Sequence, residues 1–345
     1  MKIFSDIDLL QRHPELPPAQ ILYPFVGIYP EPFQDTRAPM SKRFDEYCAH
    51  GRKIISLCGL EDAEFFVFPF EWYGLSDKKS FAEDILGAFS NLASRHGRSR
   101  LVFAYGDQYV DLSNHENIIV FQSNLNIIHL KQNEHAMPAF IENIFYGSLK
   151  KSGRSRYFLK WPGLKRRPVL SFCGYAGSAP QREEALKVYN ATRAVKTQFI
   201  FRESYYGGSW DKRIQSFDFK KLNKVRRQYI ANLMSGDYVL CVRGWGNYSV
   251  RFYEALCCGR IPVLIDTDTV LPFAAEIDYD KFIVRIPFEQ VDSADRLLAE
   301  FDANLTDEEF AWRQARCRQV WLEYLSPLGF FKNLTRLLSS DHAPS

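Results

Sequence analysis

Tyr238-Val239-Leu240-Cys241-Val242-Arg243-Gly244-Trp245-Gly246-Asn247-Tyr248-Ser249-Val250-Arg251-Phe252-Tyr253-Glu254-Ala255-Leu256-Cys257-Cys258-Gly259-Arg260-Ile261-Pro262-Val263-Leu264-Ile265 is the stretch on which the fold turns. Its first five residues are an unbroken apolar run of strand length. Arg243 to Tyr248 is a loop holding two glycines. Ser249 is a favoured N-cap residue, Val250 to Cys258 a short helix, and Gly259 its C′ stop. Ile261 to Ile265 is the next strand, which completes one βαβ unit. The loop of such a unit lies at the carboxyl edge of a parallel sheet, where ligands bind. Glycines let the backbone approach a ligand, and the free N–H groups and dipole at a helix start favour an anion. A diphosphate fits, with Gly244, Gly246, Asn247, Tyr248 and Ser249 expected beside it. Arg243 stands at the strand end and Arg251 in the first helical turn. A guanidinium grips phosphate oxygens through two parallel hydrogen bonds. Glu254 follows Arg251 by three and shares its face, and a carboxylate there suits the two hydroxyls of a ribose. The plainer alternative makes Arg251 and Glu254 an i,i+3 ion pair on the surface.

Outward from this unit the pattern stays α/β. Val169 to Gly174 reads as a strand running into a glycine, Arg182 to Val195 as a helix, and Phe199 to Phe201 as a strand. Upstream, Phe65 to Phe68 is a short buried strand closed by Pro69. Phe81, Ile85, Phe89 and Leu92 mark an amphipathic helix. Leu101 to Tyr105 and Ile118 to Phe121 are two more strands, and alternation with helices implies parallel sheets. The first 35 residues hold Pro14, Pro17, Pro18, Pro24, Pro30 and Pro32, and are expected to run extended over the surface. Between Lys150 and Arg167 there are eight Lys or Arg and no acid. An interdomain linker is expected there, giving an N-terminal domain over 1–150, a second over 165–306 and a C-terminal helix and tail over 307–345. The charge run is either a solvated connector or a cleft wall formed by Lys160, Lys165, Arg166 and Arg167. A helix over Asp307 to Leu325, with Phe310, Trp312, Val320, Trp321 and Tyr324, is expected to pack at the domain junction.

Composition narrows the function. A net charge of +3 over 345 residues argues against a dedicated nucleic-acid binder. The seven cysteines are odd in number and form no CxxC pair, which points to reduced, buried thiols and a cytoplasmic setting. Met1 to Leu10 has no apolar core of a secretory signal, and no window reaches the length of a membrane span. No HxH, HExxH, GxSxG or GxxxxGK[ST] pattern occurs, so zinc, serine-hydrolase and P-loop chemistries are not indicated.

Residues 235 to 292 resemble the nucleotide-sugar-binding half of exostosin-type glycosyltransferases. The likeness rests on the Cys241-to-Leu256 text quoted above, on Gly259-Arg260-Ile261-Pro262-Val263-Leu264-Ile265-Asp266, on Val270-Leu271-Pro272-Phe273 and on Phe282-Ile283-Val284-Arg285-Ile286-Pro287. Glu64 to Phe70 and Leu170 to Gly174 extend it more weakly. The resemblance implies a GT-B-like architecture of two Rossmann-like domains facing a cleft. The nucleotide-diphosphate sugar, a UDP-sugar foremost, would bind in the second domain and a glycan or glycolipid acceptor mainly in the first. It implies inversion at the anomeric carbon, with no cofactor and no required metal, in polysaccharide biosynthesis. A peripheral contact with the inner face of a membrane fits such an acceptor. Arg243 and Arg251 would offset charge on the leaving nucleotide. Glu71 and Asp107, each after a first-domain strand, are the candidates for the base that an inverting transfer needs. Asp266-Thr267-Asp268 offers a competing, metal-dependent reading. A non-catalytic partner subunit is the alternative from another class.

Overall fold

A computed structural model of the chain describes residues 1–28, 42–75, 78–145, 167–211 and 216–340. The first unit runs β1 (Lys2–Phe4), α1 (Ile7–Arg12), α2 (Tyr23–Val26), α3 (Asp45–His50), β2 (Ser56–Leu57), β3 (Phe65–Val67), α4 (Lys79–Arg95), β4 (Arg100–Ala104), β5 (Ile118–Gln122) and β6 (Glu134–Ala136). Its strands form one sheet in the order β2-β1-β3-β4-β5-β6, parallel throughout. The second unit runs β7 (Val169–Tyr175), α5 (Pro180–Ala191), β8 (Lys196–Arg202), a small antiparallel ribbon of β9 (Trp210–Asp211) and β10 (Ser216–Phe217), α6 (Phe219–Ser235), β11 (Tyr238–Val242), α7 (Val250–Cys257), β12 (Ile261–Asp266), β13 (Val284–Pro287) and α8 (Ala294–Ala303). Its main sheet has the order β13-β12-β11-β7-β8, again parallel. The fold is therefore the expected one, two α/β units each built on a parallel sheet. The first sheet ends at Ala136 and the second begins at Val169. Lys160, Lys165 and Arg166 of the expected linker lie outside the described residues.

The chain then returns. α9 (Asp307–Val320) opens with a capping box on Thr306 and Glu309 and runs through a π turn over Trp321–Leu325 into α10 (Pro327–Ser340). Phe310 is buried in the core on one face of the second sheet. Val320, Trp321, Phe330 and Phe331 join a second core that is continuous across the two units, together with Phe103, Phe121 and Phe140 of the first and Leu233 and Phe252 of the second. Phe331 stacks on Tyr47 at 4.4 Å and Phe330 meets Phe140 at 5.6 Å. Each such fully buried ring contributes about 1.5–3 kcal/mol, so α10 is a fixed strap over the first unit, beyond the helix the sequence suggested. Trp312, expected in the junction, is exposed.

Pro30 and Pro32 lie outside the described residues, and residues 1–28 are not a surface wrap. β1 is hydrogen-bonded on both sides, to β2 and β3, and Ile3, Leu10, Leu16, Ile21 and Leu22 are buried. Proline removes an N–H donor without setting depth. Pro24 lies in the first turn of α2, where no donor is needed, while the apolar residues around the prolines pull the segment inward. All seven cysteines are free thiols and five are buried, as their apolar settings implied. No helix among the described residues is long and apolar enough to cross a membrane.

Candidate functional site

In the second sheet the chain leaves β7 for β8 on one side and then crosses to β11 on the other. Ligands bind outside the carboxyl ends of strands at such a reversal. The β7–β11 ladder holds two residue pairs, Leu170 with Tyr238 and Ser171 with Val239. β7 and β8 share seven pairs and β11 and β12 five, so β7 and β11 part toward their carboxyl ends. Two guanidiniums fill the parting. Arg251 Nη2 donates to the Cys173 carbonyl at 2.8 Å. Arg182, from the first turn of α5, donates through Nη2 to Val242 (2.7 Å) and through Nη1 to Tyr175 (3.2 Å). Arg251 lies over the Phe172 ring at 4.2 Å. Glycine at 174 makes room, since a Cβ there would stand 2.5 Å from Arg251 Nη2.

Both arginines are more than nine-tenths buried, at 8% and 7% exposure. Among the described residues neither has a carboxylate partner. The Nε of each is buried without an acceptor, as are Ser178 Oγ and Ser249 Oγ. Gly244 lies between these groups: a Cβ on it would be 3.5 Å from Arg182 Nη2 and 3.9 Å from Ser178 Oγ. Burial, and then the charge of Arg251, push the Arg182 guanidinium down to about 9. Taking a cation out of water costs several kcal/mol unless a counter-charge meets it. Arg182, Arg251, Ser249 and the start of α7 line one cleft, and an anion there would meet both cations and the free N–H groups of the helix start. Ser249 holds the N-cap position of α7 with extended backbone, yet its side chain makes no capping bond. That leaves the hydroxyl for a ligand. Alanine at 174 should displace Arg251 without altering any charged residue. If the site takes an anion, Gly174→Ala should weaken binding of a pyrophosphate or UDP probe by about tenfold or more, the loss of a charge-assisted hydrogen bond, read by calorimetry, while the chain stays folded.

The surrounding cleft has a volume of about 950 Å³. Of the residues singled out in the sequence, Asp107, Gly244, Tyr248, Ser249, Arg251 and Glu254 line it. Glu254 is buried and does not pair with Arg251. It accepts from Arg226 Nη1 at 3.1 Å and from the Tyr229 hydroxyl, and Arg226 also bonds Glu142 at 2.7 Å. The surface ion pair of the plainer alternative is therefore not what the fold contains.

Four expected site residues serve elsewhere. Arg243 turns into its own loop, donating to Trp245 O (3.1 Å) and Asn247 Oδ1 (3.2 Å). Asn247 reaches the first unit, donating through Nδ2 to Leu125 O at 3.0 Å. Gly246 packs against the Asp107 backbone. Glu71 is buried and accepts the N–H groups of Tyr73, Gly74 and Tyr105, which leaves it a turn-forming acceptor away from the cleft lining. Arg167 bonds the Arg193 carbonyl at the amino end of β7, the edge opposite the site, and so does not form a cleft wall. The Asp266 carboxylate is taken up by Arg285 (3.0 Å) and the Thr269 N–H (2.9 Å), and neither Asp266 nor Asp268 lines the cleft.

Sequence reading missed Arg182, Arg226 and Tyr229, and Arg43 and Gln108 on the first-unit wall. Arg182 left a signal. A cation in the first turn of a helix opposes the dipole, and this one follows shortly after the glycine near the end of β7.

Two parallel α/β units thus enclose a cleft, with two buried guanidiniums that lack a carboxylate partner among the described residues at a topological reversal. Residues 165–301 match the Exostosin GT47 domain model, the family that the sequence resembles. A probable glucuronosyltransferase of Oryza sativa subsp. japonica is 39% identical over 70 residues, 20% of this chain and 16% of that protein. A probable beta-1,4-xylosyltransferase of Arabidopsis thaliana is 36% identical over 70 residues, 20% and 17% of the two chains. The match thus spans about a sixth of the length of these relatives. Among solved structures, a glycosyltransferase from Rickettsia africae covers 90% of this chain and 84% of its own, at a TM-score of 0.41 and 7% identity.

Proposed function

We propose that the chain transfers a sugar from a nucleoside diphosphate, UDP foremost, to a saccharide or glycolipid acceptor with inversion at the anomeric carbon. The observation that carries this reading is the pair of buried guanidiniums, Arg182 and Arg251, without a carboxylate between them. The diphosphate would lie between them and the N-terminus of α7, beside Gly244 and Ser249. Glu254 would take the ribose: each of its oxygens accepts one bond, from Arg226 or Tyr229, and a carboxylate oxygen has room for a second. Asp107, on the opposite wall, would draw the proton from the acceptor hydroxyl. The acceptor oxygen then attacks the anomeric carbon from the face away from the diphosphate. The bond to the phosphate oxygen breaks, and its electron pair leaves with the nucleotide. Arg182 and Arg251 stabilise that charge where a divalent ion would otherwise serve.

A ligand that binds the native state raises its melting temperature. UDP and at least one UDP-sugar, at about 100 times Kd, should add roughly 2.7 kcal/mol, a shift of several degrees, and UMP much less. A panel of nucleotide sugars in a thermal-shift assay checks this and names the sugar. No shift with any nucleoside diphosphate at millimolar concentration would remove the reading. Binding without turnover would favour the partner-subunit alternative.

A further inference from the structure

The loop beside the anion site is fastened to the opposite unit through one amide. Asn124 follows β5 in the first unit. Its Oδ1 accepts the backbone N–H of Asn247 at 2.6 Å, and its Nδ2 donates to the Asp107 carbonyl at 2.7 Å. A single planar group thus connects the phosphate-side loop to the backbone of the carboxylate facing the cleft. The surrounding contacts leave the joint little play. Asn247 Oδ1 accepts from Thr267 Oγ1 at 2.6 Å while its Nδ2 donates to Leu125 O. A Cβ on Gly246 would lie 3.1 Å from Asp107 Cα and 2.7 Å from the Tyr248 ring, so the loop backbone packs closely against the backbone of Asp107. The Tyr248 hydroxyl in turn faces the Asp107 carboxylate and the Ser123 hydroxyl.

We propose that Asn124 is a positioning residue that sets the distance between Asp107 and the loop 244–249, and through them between the attacking hydroxyl and the leaving diphosphate. The proposal rests on the transferase reading. Displacement needs the reacting atoms about 3–3.5 Å apart, and a misplacement of about 1 Å costs roughly 100-fold. Asn124 cannot rotate its amide without losing one bond or both. The competing explanation is that Asn124 merely glues the units together. The neighbouring Asn126 offers the contrast. It joins the same interface through a strand-like bridge to Thr269 and a 3.4 Å bond to Thr267 O, and no bond links its side chain to Asp107 or to the loop 244–249.

The experiment compares Asn124→Ala, Asn124→Asp and Asn126→Ala in the full chain. Asn124→Asp keeps an oxygen for the Asn247 N–H and loses the donor to Asp107, so it serves if the alanine variant does not fold. UDP affinity is measured by calorimetry, and turnover as transfer or hydrolysis of the UDP-sugar found by thermal shift. Both Asn124 variants should bind UDP within about twofold of wild type, with donor KM unchanged and kcat lowered roughly 10- to 100-fold. Asn126→Ala should keep wild-type kcat. Undiminished kcat in the Asn124 variants, or an equal loss in Asn126→Ala, would overturn the proposal while leaving the transferase reading in place. A wild-type chain that neither binds UDP nor consumes a UDP-sugar would overturn both.

Discussion

Arg251→Ala is expected to lower kcat by roughly 100-fold or more, on the scale of other groups that stabilise charge at a reacting centre. On the proposed transferase reading, charge builds on the diphosphate as the glycosidic bond breaks, so the loss should appear in turnover and not only in KM. Arg251→Lys should recover little. An ammonium cannot hold the Cys173 carbonyl and also present a flat, two-pronged edge to phosphate. Arg182→Ala should act in the same way. The double variant should lose less than the product of the two, because both groups address one ligand. Stability separates this from a structural role. If Arg251 were chiefly a clamp on the strand end, its removal would destabilise the fold as strongly as it affects turnover. Here the lost bond to Cys173 and the lost contact with Phe172 are set against relief of a buried cation and of its repulsion with Arg182. The melting temperature without ligand should stay near that of wild type, while the upward shift produced by UDP disappears. A folded Arg251→Ala variant with normal turnover would sink the assignment.

Local signals carried the fold, and the site was legible only where its chemistry is local too. β11, α7 and β12 lie where the apolar runs, Ser249 and Gly259 put them, because a run, a cap and a stop act within a few residues. α4 was legible from Phe81, Ile85, Phe89 and Leu92. Its most buried face, however, is Ala82, Leu86, Phe89 and Ala93, one position around, because alanines let the helix approach the core closely and large rings fill the flank. At the site, position was legible and direction was not. Arg243 and Arg251 stand at opposite ends of one loop, and each could face a ligand. Carbonyls of its own loop claim Arg243, and the parted strands claim Arg251. The partners that decide the remaining roles are remote: Arg226 lies 28 residues from Glu254, and Asn124 lies 123 residues from Asn247. No window of sequence contains both members of such a pair.

Asp107→Asn is expected to cut turnover by roughly 10²- to 10⁴-fold, the span of a positioned general base, with UDP affinity unchanged. Asp107 follows β4 and Gly106, is exposed to the cleft, and stands across from the loop 244–249. Asparagine keeps the size and an acceptor for the Tyr248 hydroxyl but cannot take a proton. Glu71, the other carboxylate singled out in the sequence, supplies the contrast. Its oxygens already accept from three backbone N–H groups and it is buried. A glutamine amide in its place has one acceptor oxygen and would set an NH₂ against an N–H donor. Glu71→Gln should therefore lower stability by about 1–3 kcal/mol, the cost of a buried donor left unmet, and should leave kcat of the folded fraction near wild type. Urea unfolding and single-turnover kinetics on both variants separate the two carboxylates. The base assignment fails if Asp107→Asn turns over normally, and the roles reverse if Glu71→Gln stays as stable as wild type yet loses turnover.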